Sequence, residues 1–257
     1  MTESTVVAEA QAEGAAPRGT ASTAVTLATQ ICRFDDVLGA AAADRLLEEG
    51  CHALMDEVRG RGAGAEAMVP PTWRCADQAA RFPALTAVVT RLAPMVMTML
   101  GVPVVDPRVS FGFTMHNELP PDARRQEPPV RDSAGGGRDS GWDSGAGVGA
   151  ASGPSSGAGS GSESGSGSCD PYRISFIYHL HRRPRGFTGG QTRIYDTTVR
   201  EGHPGIAESF RDVQPDHDSL VFFPSDAWYQ VRPVASPSAK LLDSRFAFHG
   251  RLGAGPR

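Results

Sequence analysis

The apolar residues of this chain change their spacing once, between Pro103 and Val109, and that change limits the available folds more than any other feature. From Phe34 to Gly60, Val37, Leu38, Ala41, Leu46, Leu47, His52, Leu54, Met55 and Val58 recur at helical spacing, with acids and arginines between them. Asp35 or Asp36 is placed to cap this helix, and Gly60 to end it. A second helix is expected between Phe82 and Gly101, where Gly101 and Pro103 supply the stop and Pro94 should kink or split it. Beyond it the period falls to two. VSFGFTMH, RISFIYHLH, QTRIYDT, DSLVFFPS and RFAFHGRL are short runs rich in β-branched and aromatic residues, bounded by Gly, Pro and Asp. Helices first and strands afterwards, with no alternation of the two, predict an α+β chain with an antiparallel β core buttressed by helices.

Composition sets the outer limits. The chain has 257 residues and a formal net charge of -4, from 25 basic and 29 acidic side chains, so bulk charge gives no footprint for nucleic acid. Cys32, Cys51, Cys75 and Cys169 are scattered without CxxC spacing, which provides neither a zinc cluster nor a disulfide framework. No apolar run is long enough to span a membrane and the N-terminal segment lacks a signal-peptide core, so a soluble, cytoplasmic setting is expected.

Residues 1–28 lack sustained periodicity and read as a disordered tail. Residues 29–257 read as one domain, interrupted at 133–168 by a Gly/Ser/Ala stretch that cannot bury enough apolar surface to fold. A flexible loop of that length has an end-to-end distance of roughly 30–35 Å and can return to where it left. Its extra closure entropy is only ~1–2 kcal/mol, which suits an insertion within one domain.

The segment RISFIYHLHRRPRGFTGGQTRIYDT, Arg173 to Thr197, resembles the central hairpin of prolyl-4-hydroxylase-like 2-oxoglutarate/Fe(II) oxygenases. That family typically reads R-x-[LIV]-[ST]-x-[VI]-Y-Y-x-[HN], then G-G-x-[LT]-R-[ILV]-Y. DSLVFFPSDAWYQVRPV and DSRFAFHGRL resemble the family's F-x-S strand, His-x-V-x-P-V segment and Arg-x-[ST] strand in the same order. MLGVP and VSFGFTMH resemble the region leading into such domains, and the resemblance covers most of residues 32–252. It implies a double-stranded β-helix (jelly-roll), Fe(II) and 2-oxoglutarate as cofactor and co-substrate, and ascorbate as a further cofactor. The activity it implies is oxidative hydroxylation of a peptidyl or small-molecule substrate.

The family's chemistry needs a 2-His-1-carboxylate triad that leaves iron positions open for 2-oxoglutarate and O2. An Arg on the last strand pairs with the far carboxylate of the co-substrate, and here the matching residue is Arg245. His179 stands at the family's second Tyr, where an imidazole can still donate a hydrogen bond. Tyr229 occupies the expected distal histidine, and a phenol with a pKa near 10 is a poor ligand for Fe(II). The proximal H-x-D/E motif aligns either with Arg125-Gln126-Glu127 or, after a short gap, with Val130-Arg131-Asp132; both keep a carboxylate and lose the histidine. His116-Asn117-Glu118 is the literal H-x-E match, but it lies at the end of the preceding strand. The candidate metal ligands are therefore Asp132, Glu127 and His116.

Other histidines read as structural: His217 in an acidic turn with solvated Asp216 and Asp218, His203 in a Gly/Pro loop, and His249 towards the pocket mouth. Three functions remain open at this point. They are an active oxygenase with a nonstandard iron site, a noncatalytic relative kept as a binding or scaffold domain, and an unrelated jelly-roll metabolite binder.

Overall fold

The computed structural model describes residues 24–60, 72–75, 78–103, 107–117, 129–132, 172–238 and 240–254. Two helices, α1 (Ala40–Gly60) and α2 (Pro83–Met99), accompany twelve strands. In chain order these are β1 (Val25–Leu27), β2 (Cys32–Phe34), β3 (Thr72–Cys75), β4 (Pro107–His116), β5 (Tyr172–Leu180) and β6 (Thr188–Gly189). They continue as β7 (Thr192–Arg200), β8 (His203–Val213), β9 (Ser219–Pro224), β10 (Tyr229–Val231), β11 (Val234–Ala235) and β12 (Arg245–Ala254).

α1 starts later than its apolar pattern does. Asp36 and Gly39 take left-handed backbone, φ 53° and 82°, which no helix continues through. The amides of Leu38 and Gly39 instead donate to the Asp218 carboxylate at 2.9 and 2.7 Å. Asp218 is thus buried and also accepts from the Tyr178 hydroxyl at 2.7 Å. The solvation expected for Asp218 is corrected here, because this carboxylate satisfies the backbone donors ahead of α1, while Asp216 is exposed as expected. His52, counted on the apolar face, is exposed. Pro94 does not split α2: it lies on the solvent face, where the carbonyl it leaves unbonded can meet water.

The larger sheet runs β2-β9-β5-β12-β4-β3, antiparallel throughout. In the smaller sheet β8 pairs along one edge of β7, while β10 and β1 pair with the two ends of its other edge. Alternation on the large sheet then sorts two cores. Phe111, Phe113, Phe176, Tyr178, Phe222, Phe246 and Phe248 pack with Leu46, Leu54, Leu85 and Val89 of the helices. Ile177, Val221, Phe223 and Ala247 pack with Ile194, Val213 and Tyr229 of the smaller sheet. This is the α+β, double-stranded β-helix architecture expected from the sequence.

Two boundaries differ from the sequence reading. The tail assigned to 1–28 ends earlier, because Val25–Leu27 forms β1 against Thr197–Val199. Three residues show no periodicity of their own; an edge offered by β7 makes them a strand. His203 opens β8 rather than sitting in a loop, for the same reason. Residues 1–23 and the insertion at 133–168 lie outside the described residues.

Candidate functional site

The inner face of the large sheet carries polar side chains at its two ends, with Ile177, Ala247 and the buried His249 between them. At one end stands Arg245, the first residue of β12, fully buried. Its Nε donates to the Gly190 carbonyl at 2.8 Å and its Nη2 to the Thr192 hydroxyl at 3.4 Å, while Nη1 lies 3.4 Å from His116 Nδ1. No carboxylate among the described residues contacts it. Burial pushes its guanidinium down to about 9, which leaves it a cation at neutral pH. Gly190 makes room for it: a Cβ there would sit 2.7 Å from Arg245 Cδ, and its φ of +71° suits glycine.

His179 shares this end. Its two ring nitrogens lie 3.3 Å from the Ser219 hydroxyl and 3.4 Å from that of Thr192. Burial first, then the nearby charge of Arg245, holds it well below its ordinary range, so it is a neutral imidazole at pH 7. Arg245, Thr192 and His179 together form a set of donors around one buried cation, suited to an anion.

At the other end is Asp132, 6 % exposed. Its Oδ2 accepts from the Ser175 hydroxyl at 2.5 Å and its Oδ1 from the Tyr229 hydroxyl at 3.0 Å. The Ser225 hydroxyl lies 3.0 Å from that of Ser175, and Arg251 donates to the backbone carbonyl of Asp132 at 3.3 Å. Val130 pairs with Tyr229 through reciprocal backbone bonds of 2.9 and 3.0 Å. The short segment holding Val130 and Asp132 therefore lies directly beside the residue at the distal ligand position. Of the two alignments considered for the proximal motif, this arrangement favours Val130-Arg131-Asp132; Glu127 lies outside the described residues.

The structure does not bring His116 and Asp132 together. His116 is opposite Arg245 in the β4–β12 register, whereas Ser175, which holds Asp132, is opposite Arg251. Six residues of strand separate those two register positions, roughly 20 Å. His249, placed towards the mouth by alternation, is buried midway, opposite Ile177. His217 accepts from the His181 amide and lies 3.2 Å from Asp44 of α1, outside this interior.

The three triad positions do not offer the donors of an iron site. Val130 offers no donor atom, Tyr229 spends its hydroxyl on Asp132, and both oxygens of Asp132 already accept hydroxyl protons. The set does not fit Fe(II), which this chemistry binds through two imidazoles and one carboxylate. Thr192, Ser219 and Ser225 were missed by sequence reasoning. Their only signal is a hydroxyl on an inward position of an otherwise apolar strand, which is weak without knowing which strands face each other.

Comparison with known proteins bears on the whole arrangement. The family model described as the 2OG-Fe(II) oxygenase superfamily matches residues 162–250. An uncharacterised PKHD-type hydroxylase of Synechocystis sp. is 31% identical over 78 residues, covering 30% of this chain and 26% of that relative. The chain thus matches about a quarter of the curated relative's length. A prolyl hydroxylase of Trichoplax adhaerens, solved with a hypoxia inducible factor peptide fragment, superposes with a TM-score of 0.51. Its identity is 12%, over 87% of this chain and 83% of that one. A Pseudomonas putida prolyl-4-hydroxylase gives a TM-score of 0.45 at 15% identity, over 88% of this chain and 93% of that chain.

Proposed function

We propose that this chain, which belongs to the 2OG-Fe(II) oxygenase superfamily and is prolyl-4-hydroxylase-like, is a noncatalytic relative that binds a small carboxylate at Arg245. One observation carries the reading. The carboxylate at the iron position is closed by the Tyr229 and Ser175 hydroxyls, beside a valine where an imidazole is needed.

The other half of the site supports binding. A fully buried guanidinium without a carboxylate partner among the described residues is costly unless something anionic joins it. His116, half-buried at the rim 3.4 Å from Arg245, stands where that anion would arrive and would have to turn aside. The residues fit the far carboxylate of 2-oxoglutarate, which Arg245 would hold bidentately with help from Thr192. Neutral His179 would supply an uncharged hydrogen bond there.

The expected partner is a small molecule and not nucleic acid or a membrane. The net charge of -4 offers no attraction to a polyanion, and no described helix is long and apolar enough to cross a membrane. The buried free thiols of Cys32, Cys51 and Cys75 suit a reducing, cytoplasmic setting.

Anaerobic titration of metal-stripped protein with Fe(II) and 2-oxoglutarate tests the noncatalytic reading. The expected result is no visible charge-transfer band and no succinate in air. A band with metal-dependent succinate would overturn it and restore hydroxylation of a peptidyl or small-molecule substrate, with ascorbate tested next as a cofactor.

A further inference from the structure

We infer that the barrel interior selects a monocarboxylate with an uncharged far end over a dicarboxylate of the same length, and that Asp132 is the discriminating residue. This rests on the reading of Arg245 as an anion site. From His179 to Ser175 is four residues along β5, roughly 13 Å of strand. Between them on the same face stands Ile177, cross-strand from Val221 on one side and from the buried His249 on the other, with Ala247 opposite His179 and Ile194 across from the smaller sheet. A ligand anchored by one carboxylate at Arg245 extends past Ile177, Ala247 and the His249 imidazole towards Asp132.

What it meets there is an acceptor. Both hydroxyls on the Asp132 oxygens donate, and Arg251 donates to the Asp132 backbone carbonyl. A second carboxylate on the ligand would point towards this carboxylate within a buried interior. Two like charges in such surroundings cost about tenfold in affinity or more, even several ångströms apart. A neutral amide of the same shape carries no such repulsion and can donate to Asp132. 2-Oxoglutarate is disfavoured twice, because the triad positions also offer no metal for its 2-oxo acid end.

Calorimetric titration of the full, metal-stripped chain with glutarate, its monoamide glutaramate, and 2-oxoglutarate tests this. Glutaramate and glutarate share size and shape and differ in one charge. Glutaramate is expected to bind about tenfold more tightly than glutarate. Asp132→Asn should remove most of that gap, and Arg245→Met should abolish binding of all three. Glutarate or 2-oxoglutarate binding as tightly as glutaramate would overturn the selectivity while leaving the anion site at Arg245 standing. Binding of none of the three would overturn the anion site, and the selectivity with it. The wild-type ratio decides the matter even where Asp132→Asn lowers the melting temperature too far for titration.

Discussion

Two side chains, Val130 and Tyr229, stand where a metal site would need imidazoles. Tyr229 holds Asp132 by a 3.0 Å bond, in the position where an imidazole would ligate. Tyr229→Phe removes one of two donors from a buried carboxylate and should destabilise the fold by about 1–3 kcal/mol in urea unfolding. Val130→His combined with Tyr229→His offers Asp132 two imidazoles. That double variant is expected to show the Fe(II)–2-oxoglutarate charge-transfer band, and each single variant to lack it. Charge at Arg245 makes a separate prediction. Burial lowers its guanidinium, which still remains a cation through neutral pH, so anion affinity should stay level from pH 6 to 8. His179, already neutral, should add no step near pH 6.5.

β12 is the element that ties the two ends of the interior to the outer core. One face carries Arg245, Ala247 and His249 inward, and the other carries Phe246 and Phe248 to the helices. Gly250 lies where the Phe176 ring and Phe111 Cβ crowd in, the latter 2.6 Å from where a Cβ would be. Gly250→Ala is expected to lower stability by about 1–3 kcal/mol, seen as a reduced melting temperature, through overpacking rather than lost contacts. The strands that carry their own alternating apolar pattern, β4, β5, β7, β9 and β12, were legible in the sequence. β1, β2, β10 and β11, two or three residues each, were not, because a strand that short is made by its partner's edge. β8 is longer but mostly exposed, so no buried face marks it with period two.

For the whole molecule, the contact between Asp132 and Ser175 has a consequence for the segment between them. Asp132, ahead of the insertion expected at 133–168, lies 2.5 Å from the hydroxyl of Ser175, which follows it, so the described residues on either side are close together. Replacing that stretch by a short Gly/Ser connector should change stability by no more than about 1–2 kcal/mol and leave anion affinity unaltered. A loss of binding with an unchanged melting temperature would assign the insertion a part in the site.

By itself the sequence determined the class and most of the large sheet, because burial of one face imposes period two and burial of one stripe imposes helical spacing. It also marked Arg245 and Asp132 as chemistry-bearing and the imidazoles at the triad positions as missing. Which of two alignments placed the carboxylate, and whether His116 shared its site, lay beyond it. Those are distances between residues far apart in the chain; the β4–β12–β5 register separates His116 from Asp132, and the Val130–Tyr229 pairing sets Asp132 near Tyr229. Tertiary structure alone set Asp132 between two hydroxyls at one end and, at the other, a cation with no carboxylate partner among the described residues. Charge and hydrogen bonding act through space, and the spacing of letters along a chain does not contain them.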